Sequence, residues 1–526
     1  MRVDGRGLRC FNQAMSNTQK TYDRLVTELK EIGLLGSVGG VLGWDEQVLL
    51  PDKGRELRAG QSGLIARLHH ERFTSPLIGQ MLAELESSGL LADPHGDVAV
   101  NVRQTRRSYD RATTLPAELV ERMSRTEVHC QQAWVEARKK SDYGHFKPWL
   151  EKMLALKREE AQCYLSAGGD QSDRPTTLYD ALLEGFEPGE RAENLRRVFA
   201  ELRAELVPLI EEIAGRGKSD SAEVLHRRFA RDQQEQFARE AAAKIGFDFE
   251  AGRLDVSAHP FCSGIGPGDV RLTTRYREDS FTDAFFGVLH EAGHGLYHQG
   301  LPAEHFGTPC GSPVSLGIHE SQSRMWENLV GRGRAFWNYF WPKAQERFGA
   351  ALAGVSMDQW MGAIHRVEPS LIRVEADEAT YNLHIILRFE LEQALLHGDL
   401  SVDDLPGEWN RRMKQDLGVD VPDDARGCLQ DIHWSGGMIG YFPTYTLGNL
   451  YAAQFFEQAK MDLSDLEGHF SRGDFVPLRE WLREKIHSQG KRYSARELAQ
   501  KITGQDLSAA PLMRHLREVA QIGGAV

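Results

Sequence analysis

The chain of 526 residues lacks any uninterrupted apolar run near the roughly 20 residues that a membrane-spanning helix needs. Its N-terminal stretch, MRVDGRGLRCFNQAMSNTQK, has no apolar core, which excludes a secretory signal, and its aspartate and short length argue against a transit peptide. Residues 1–14 read as a disordered lead, with translation starting at Met15 and one helical domain filling 15–526. Cysteine is sparse. The six thiols, at 10, 130, 163, 262, 310 and 428, lie far apart, so a disulfide framework is not expected. No Cys-x-x-Cys pair exists, which leaves a thiolate zinc site without support. Basic excess is missing too: the net charge of −13 excludes a general nucleic-acid binder. Internal repeats, low-complexity tracts and Pro/Ser-rich linkers are absent. What remains is a cytoplasmic enzyme or scaffold with neither nucleic acid nor membrane as partner.

Helical periodicity fills most of the chain. Apolar residues recur at helical spacing over Thr18–Leu35, with Gly36 placed to stop the helix, and again over Arg55–Glu86. Further helices are predicted at Ala117–Lys140, Phe146–Ala167, Arg191–Ile213, Phe281–Gln299, Leu316–Val330, Arg373–His397 and Leu447–Lys460. Polar loops are expected at 168–175 and 215–221. One strand stands out, DVRLTTRY over Asp269–Tyr276, between Gly-Pro-Gly and a charged turn. The fold class is mainly α, with one small sheet beside a central groove.

The chemistry lies in FTDAFFGVLHEAGHGLYHQG, which contains His-Glu-x-x-His. Residues four apart share a helix face, so His290 and His294 can offer two imidazoles to one metal ion. Glu291 projects beside that face and can take a proton from a water activated there. Phe285, Val288, Leu289, Ala292 and Leu296 supply the packing, and Thr282 or Asp283 can cap the start. A catalytic zinc needs a third protein ligand. The extended His-rich motif fails, because its offsets hold Tyr297 and Gly300. LGIHESQSRMWENLV offers Glu320 and Glu327, seven apart on one helix face, and His298 is a rival by spacing. If DVRLTTRY is an edge strand, Thr273 and Thr274 can pair with a substrate backbone.

HEAGH followed by GIHESQSRMWEN resembles the carboxypeptidase Taq family of metallocarboxypeptidases. VLGWDEQVLLP, HPFCSGIGPGDVRLTTRY, IRVEADEATYNLHIILRFE and GCLQDIHWSGGMIGYFPTYTLGN extend the likeness over nearly the whole chain from about Thr18. The resemblance implies a Zn2+ site of His290, His294 and Glu320, which cobalt or manganese could also occupy. It implies Glu291 as general base and proton shuttle, and Glu327 as an acid that orients a ligand. Related zinc enzymes often place an acid four residues after the ligand glutamate. Arg324 stands there, so the partner of His294 must come from elsewhere. Tyr441 or Tyr445 is implied as oxyanion donor, Arg373 as anchor of a C-terminal carboxylate, and His259 and His433 as groove-lining residues. A homodimer acting on peptides with a free C-terminus completes the expectation.

Three readings follow. A zinc carboxypeptidase needs a cation such as Arg373 a residue's length from the metal. An endopeptidase with the same water chemistry does not. A helical scaffold that keeps a metal for stability would have no use for Glu291.

Overall fold

The computed structural model describes residues 5–167, 175–214 and 220–523. The predicted polar loops at 168–175 and 215–221 fall almost entirely outside these residues, as do positions 1–4 of the expected lead. Helix α1 spans Gly5–Val48 and so takes in most of that lead. It also passes straight through Gly36, the expected stop. The glycines on this helix allow close approach: a Cβ on Gly33 would lie 2.7 Å from the Gly307 Cα. The predicted helix Arg55–Glu86 is two, α2 (Arg55–Phe73) and α3 (Pro76–Glu86), because Pro76 cannot donate into a continuing helix and forces Ser75 into extended backbone.

The chain continues through α4 (Asp97–Thr114), α5 (Ala117–Lys140), α6 (Tyr143–Ser166), α7 (Leu178–Leu183), α8 (Ala192–Ala214) and α9 (Arg231–Ile245). A three-stranded sheet follows, β1 (Gly252–Val256), β2 (Cys262–Gly266) and β3 (Asp269–Thr274), and then α10 (Phe281–Gly300) and α11 (Leu316–Arg324). After a π-helical turn, Met325–Val330, come α12 (Arg334–Arg347), α13 (Met357–Ile364), α14 (Tyr381–His397), α15 (Leu405–Leu417) and α16 (Pro443–Asp462). The prediction of a helix from Arg373 is early. Arg373–Glu375 form one 3₁₀ turn, and α14 starts at Tyr381, after Asp377 has accepted the free N–H groups of Ala379 and Thr380.

The sheet has the order β1-β3-β2, β1 parallel and β2 antiparallel to β3. The strand predicted from DVRLTTRY is therefore central, and the edge-strand role drawn for Thr273 and Thr274 does not hold. Thr274 pairs with Val256 in register, its carbonyl accepts the Ser257 N–H at 3.0 Å, and its side chain is fully buried. The free edges belong to β1 and β2.

Helix α10 is buried along nearly its whole length. Its first turns pack Phe281 and Phe285 against Phe237, Trp337 and Trp360. Ser280, rather than Thr282 or Asp283, precedes it. Behind the helix the crossings are tight. A Cβ on Gly293 would sit 2.5 Å from the Gln322 carbonyl oxygen on α11, and one on Gly448 of α16 would sit 2.3 Å from Glu320 Cγ. Those two contacts press α10, α11 and α16 together. Ser315 caps α11, and the buried Glu187 accepts from Ser315 Oγ at 2.7 Å and Gly317 N–H at 2.8 Å. The start of the helix that carries Glu320 is thus fixed.

Candidate active site

Two turns of α10 present His290 and His294, and the first turns of α11 bring Glu320 to meet them. Glu320 Oε2 lies 3.6 Å from His290 Nε2 and 3.3 Å from His294 Nε2. The ligand atoms of all three residues fall within 4.8 Å of one another, close enough to share one metal ion. Two imidazoles and a carboxylate suit zinc and leave room for a water.

Each ligand is held from behind. His290 Nδ1 donates to Glu327 Oε2 at 2.8 Å, which leaves its Nε2 lone pair facing Glu320. The π turn carries Glu327 into that position, a local distortion that often accompanies functional sites. Arg324 bridges both acids, with Nε 2.8 Å from Glu320 Oε1 and Nη1 3.2 Å from Glu327 Oε2. Where related enzymes carry an acid, this chain has a cation that orders two carboxylates. The missing partner of His294 is His319, whose Nδ1 lies 2.5 Å from His294 Nδ1. His319 Nε2 in turn meets His298 Nε2 at 2.9 Å. His298, the rival ligand, is therefore the end of an imidazole chain behind the site.

Burial and charge divide these groups. Burial works against the His290 cation, yet Glu320 and Glu327 raise its pKa to about 9. The same field favours any cation between the two imidazoles. Burial opposes ionisation of Glu327, but Arg324 and His290 bring it to about 2. Glu320, also desolvated, is held well below the carboxylate range by Arg324 and His290. Glu291 goes the other way: burial raises it, only partly countered by His290 and His294. A carboxylate raised in this way is a better proton acceptor than a free one. His319 is kept neutral by burial and by His294 and His298, and burial together with His294 lowers His298 to about 4.

A second cluster stands across from the first, at the foot of α14. Arg373 is 5% exposed, and its ion pair is with Asp431 rather than with the adjacent Glu375 or Asp377. Arg373 Nε and Nη2 donate to Asp431 Oδ1 at 3.0 and 2.8 Å, and Nη1 donates to Tyr381 Oη at 2.9 Å. Arg388, fully buried, takes the other oxygen of Asp431 at 2.7 Å from Nε. The Arg373 guanidinium also sits 5.0 Å above the Tyr445 ring. Tyr445 Oη meets His433 Nε2 at 3.2 Å. Burial pushes His433 down to about 4, against the pull of Asp431, so it is neutral. The rings of Tyr441 and Tyr445 are 5.4 Å apart. Burial and the nearby Glu320 raise the Tyr441 phenol, and burial with Tyr381 and Tyr441 raises that of Tyr445. Arg324, stacked 4.7 Å over the Tyr381 ring, joins the two clusters.

The structure brings together His290, His294, Glu320, Glu291, Arg373, His433, Tyr441 and Tyr445. It does not bring in His259, which is exposed on the β1–β2 connection with no hydrogen bond or ring contact from its side chain to the others. Sequence reasoning missed His319, Tyr381, Arg388 and Asp431. His319 and Asp431 sit inside HESQS and QDIHW, and each meets its partner only through the tertiary fold.

A helix with His-Glu-x-x-His packed against a second that brings a glutamate within ligand distance is the arrangement of a metal-dependent hydrolase. The sequence itself is more specific. Residues 24–520 match the family model of the carboxypeptidase Taq (M32) metallopeptidases, and the chain belongs to that family. It is 48% identical over 501 residues to thermostable carboxypeptidase 1 of Thermus thermophilus, covering 95% of this chain and 98% of the relative. Carboxypeptidase 1 of Bacillus subtilis is 36% identical over 94% of this chain and 97% of its own length. Among solved structures, the M32 carboxypeptidase of Deinococcus radiodurans R1 superposes with a TM-score of 0.91 at 40% identity, over 96% of this chain and 100% of the other. The protein is a metallocarboxypeptidase, a hydrolase that acts on peptides. No helix among the described residues is long and apolar enough to cross a membrane.

Proposed function

We propose that the protein is a zinc carboxypeptidase that removes C-terminal residues one at a time, with broad side-chain preference. The observation that carries this reading is that two clusters, His290–His294–Glu320 and Arg373–Asp431, are joined through Arg324 and Tyr381. His290, His294 and Glu320 would hold the ion. A zinc ion there supplies a Lewis acid that polarises the scissile carbonyl and acidifies water. Glu291 accepts the proton of the attacking water and passes it to the leaving amine. Its burial supports this role, since a desolvated carboxylate holds a proton longer. Tyr441 donates to the oxygen that gains charge, and Tyr445 serves instead to pack Arg373. Arg373 binds the substrate's terminal carboxylate, and His433 lies beside it through Asp431 and Tyr445. Cobalt or manganese would fit the same ligands.

C-terminal proline should be resisted, because the imide lacks the N–H that an enzyme carbonyl would bind. A homodimer and a cytoplasmic location belong to the same reading, the first from the family likeness and the second from the sparse, scattered cysteines. The experiment is digestion of peptides followed by mass spectrometry. Sequential loss from free C-termini, none from amidated ones and slow release of proline are expected. Internal cuts in amidated peptides would replace this reading with the endopeptidase one.

A further inference from the structure

The second cluster holds more charge than one anchor needs. Arg373 and Arg388 are 5% and 0% exposed, and among the residues they contact, Asp431 is the one acid. The neighbouring imidazoles add nothing to the balance: burial and Arg388 push His384 to about 3, and burial pushes His433 to about 4. Glu392, one turn after Arg388 on α14, is turned to other donors, Tyr179 Oη at 2.8 Å, Trp434 Nε1 at 2.9 Å and Gly440 N–H at 3.1 Å. A buried cluster with one cation in excess is costly unless an anion completes it.

Geometry says how the anion would be met. A guanidinium has five N–H bonds in a fixed planar fork. Arg373 spends Nε–H and one Nη2–H on Asp431 and one Nη1–H on Tyr381, so one N–H remains on each Nη. A free N–H on each terminal nitrogen is what a carboxylate takes in a bidentate pair. Asp431 cannot swing away, because Arg388 grips its second oxygen through Nε at 2.7 Å and Nη2 at 2.6 Å.

We propose that Asp431 is a positioning residue for carboxylate recognition: clamped by Arg388, it holds Arg373 by one edge and so turns the other edge toward the substrate's C-terminus. This rests on the reading of Arg373 as the carboxylate anchor. Tyr381 fixes the remaining rotation of the guanidinium. The specificity for a free C-terminus is then set by how Arg373 is oriented as well as by its charge.

Charge and orientation make opposite predictions for one substitution. Asp431→Asn leaves the cluster more positive, so charge alone would tighten the binding of a carboxylate. Loss of orientation would weaken it. The test uses N-acetylphenylalanine and its amide as competitive inhibitors of the zinc-loaded enzyme, read as the ratio of amide to acid inhibition constants. That ratio is insensitive to the fraction of folded protein. In Asp431→Asn the ratio should fall by about tenfold or more, the worth of a charge-assisted hydrogen bond. Tyr381→Phe should lower it by a smaller factor, and decides the matter if Asp431→Asn does not fold. A ratio that rises, or stays within about twofold in every folded variant while Arg373→Ala abolishes it, overturns the role of Asp431 and leaves the anchor in place. A ratio unchanged in Arg373→Ala removes the anchor reading itself.

Discussion

The two clusters are built on opposite charge arithmetic. At the α10–α11 end, with both imidazoles neutral as metal ligation requires, Glu291, Glu320 and Glu327 face Arg324 and, at 3.7 Å from Glu327, Arg332, so the acids are in excess. At the α14 end, Arg373 and Arg388 share Asp431, so the cations are in excess. Elsewhere, some buried acids, such as Glu187 and Glu392, are met by neutral hydrogen-bond donors and others by cations. Asp416 pairs with Arg203, and Glu378 with His515. Folding alone would favour balance, because an uncompensated buried charge costs more than its neighbours return. On the proposed reading, each imbalance is the place where a ligand supplies the missing charge, a divalent cation at one end and a carboxylate at the other.

The comparison can be broken most severely at Glu291. Glu291→Gln should lower kcat by about 10²–10⁴-fold, the usual worth of a positioned acid–base, without releasing zinc. Kinetics with metal content measured on the same sample checks this. Sharpening comes from the groups behind the ligands. Glu327→Gln and His319→Ala should each weaken zinc binding by about 10–100-fold in competition with a chelator, while ligand substitutions should do more. A smaller effect is expected where the helices touch. Gly448→Ala places a Cβ 2.3 Å from Glu320 Cγ and should cost about 1–3 kcal/mol in denaturant unfolding.

The smallest effect concerns Glu187, whose burial raises its pKa to about 8. Its folded-state value is above the unfolded one, so between those values the native state binds more protons and stability falls as pH rises. Glu187→Gln keeps the acceptor for Ser315 or Gly317 and removes the titration. Melting temperature should then depend less on pH between about 5 and 8 than in wild type.

The parts of this design that were legible in the sequence are those set by local spacing. His290 and His294 are one turn apart, and helical geometry alone puts them on one face with Glu291 beside it. Glu320 was one of two acids by spacing and was singled out by family likeness. Both acids reach His290, because the π turn after Arg324 brings Glu327 round to Nδ1. Partners distant in sequence were not legible. The acid that Arg373 pairs with is 58 residues away, out of reach of any local spacing rule. Strand order was equally hidden: DVRLTTRY announces a strand, and nothing within it tells a central strand from an edge. Gly36 reads as a stop and is passed by; a Cβ there would meet only His69 at 3.8 Å, whereas Gly33 is held to glycine by the approach of Gly307. Pro76 divides the second helix, yet Pro148, Pro208 and Pro342 lie inside α6, α8 and α12, so proline alone does not mark a boundary.

The most direct measurement is equilibrium binding of one peptide, with its C-terminus free and amidated, to zinc-loaded Glu291→Gln enzyme, which holds substrate without turning it over. If each end of the groove awaits the charge it lacks, the free acid should bind at least about tenfold tighter than the amide, and Arg373→Ala in the same background should erase the difference. Equal affinity for acid and amide would contradict the account, for the cationic cluster would then be part of the fold and no part of the site.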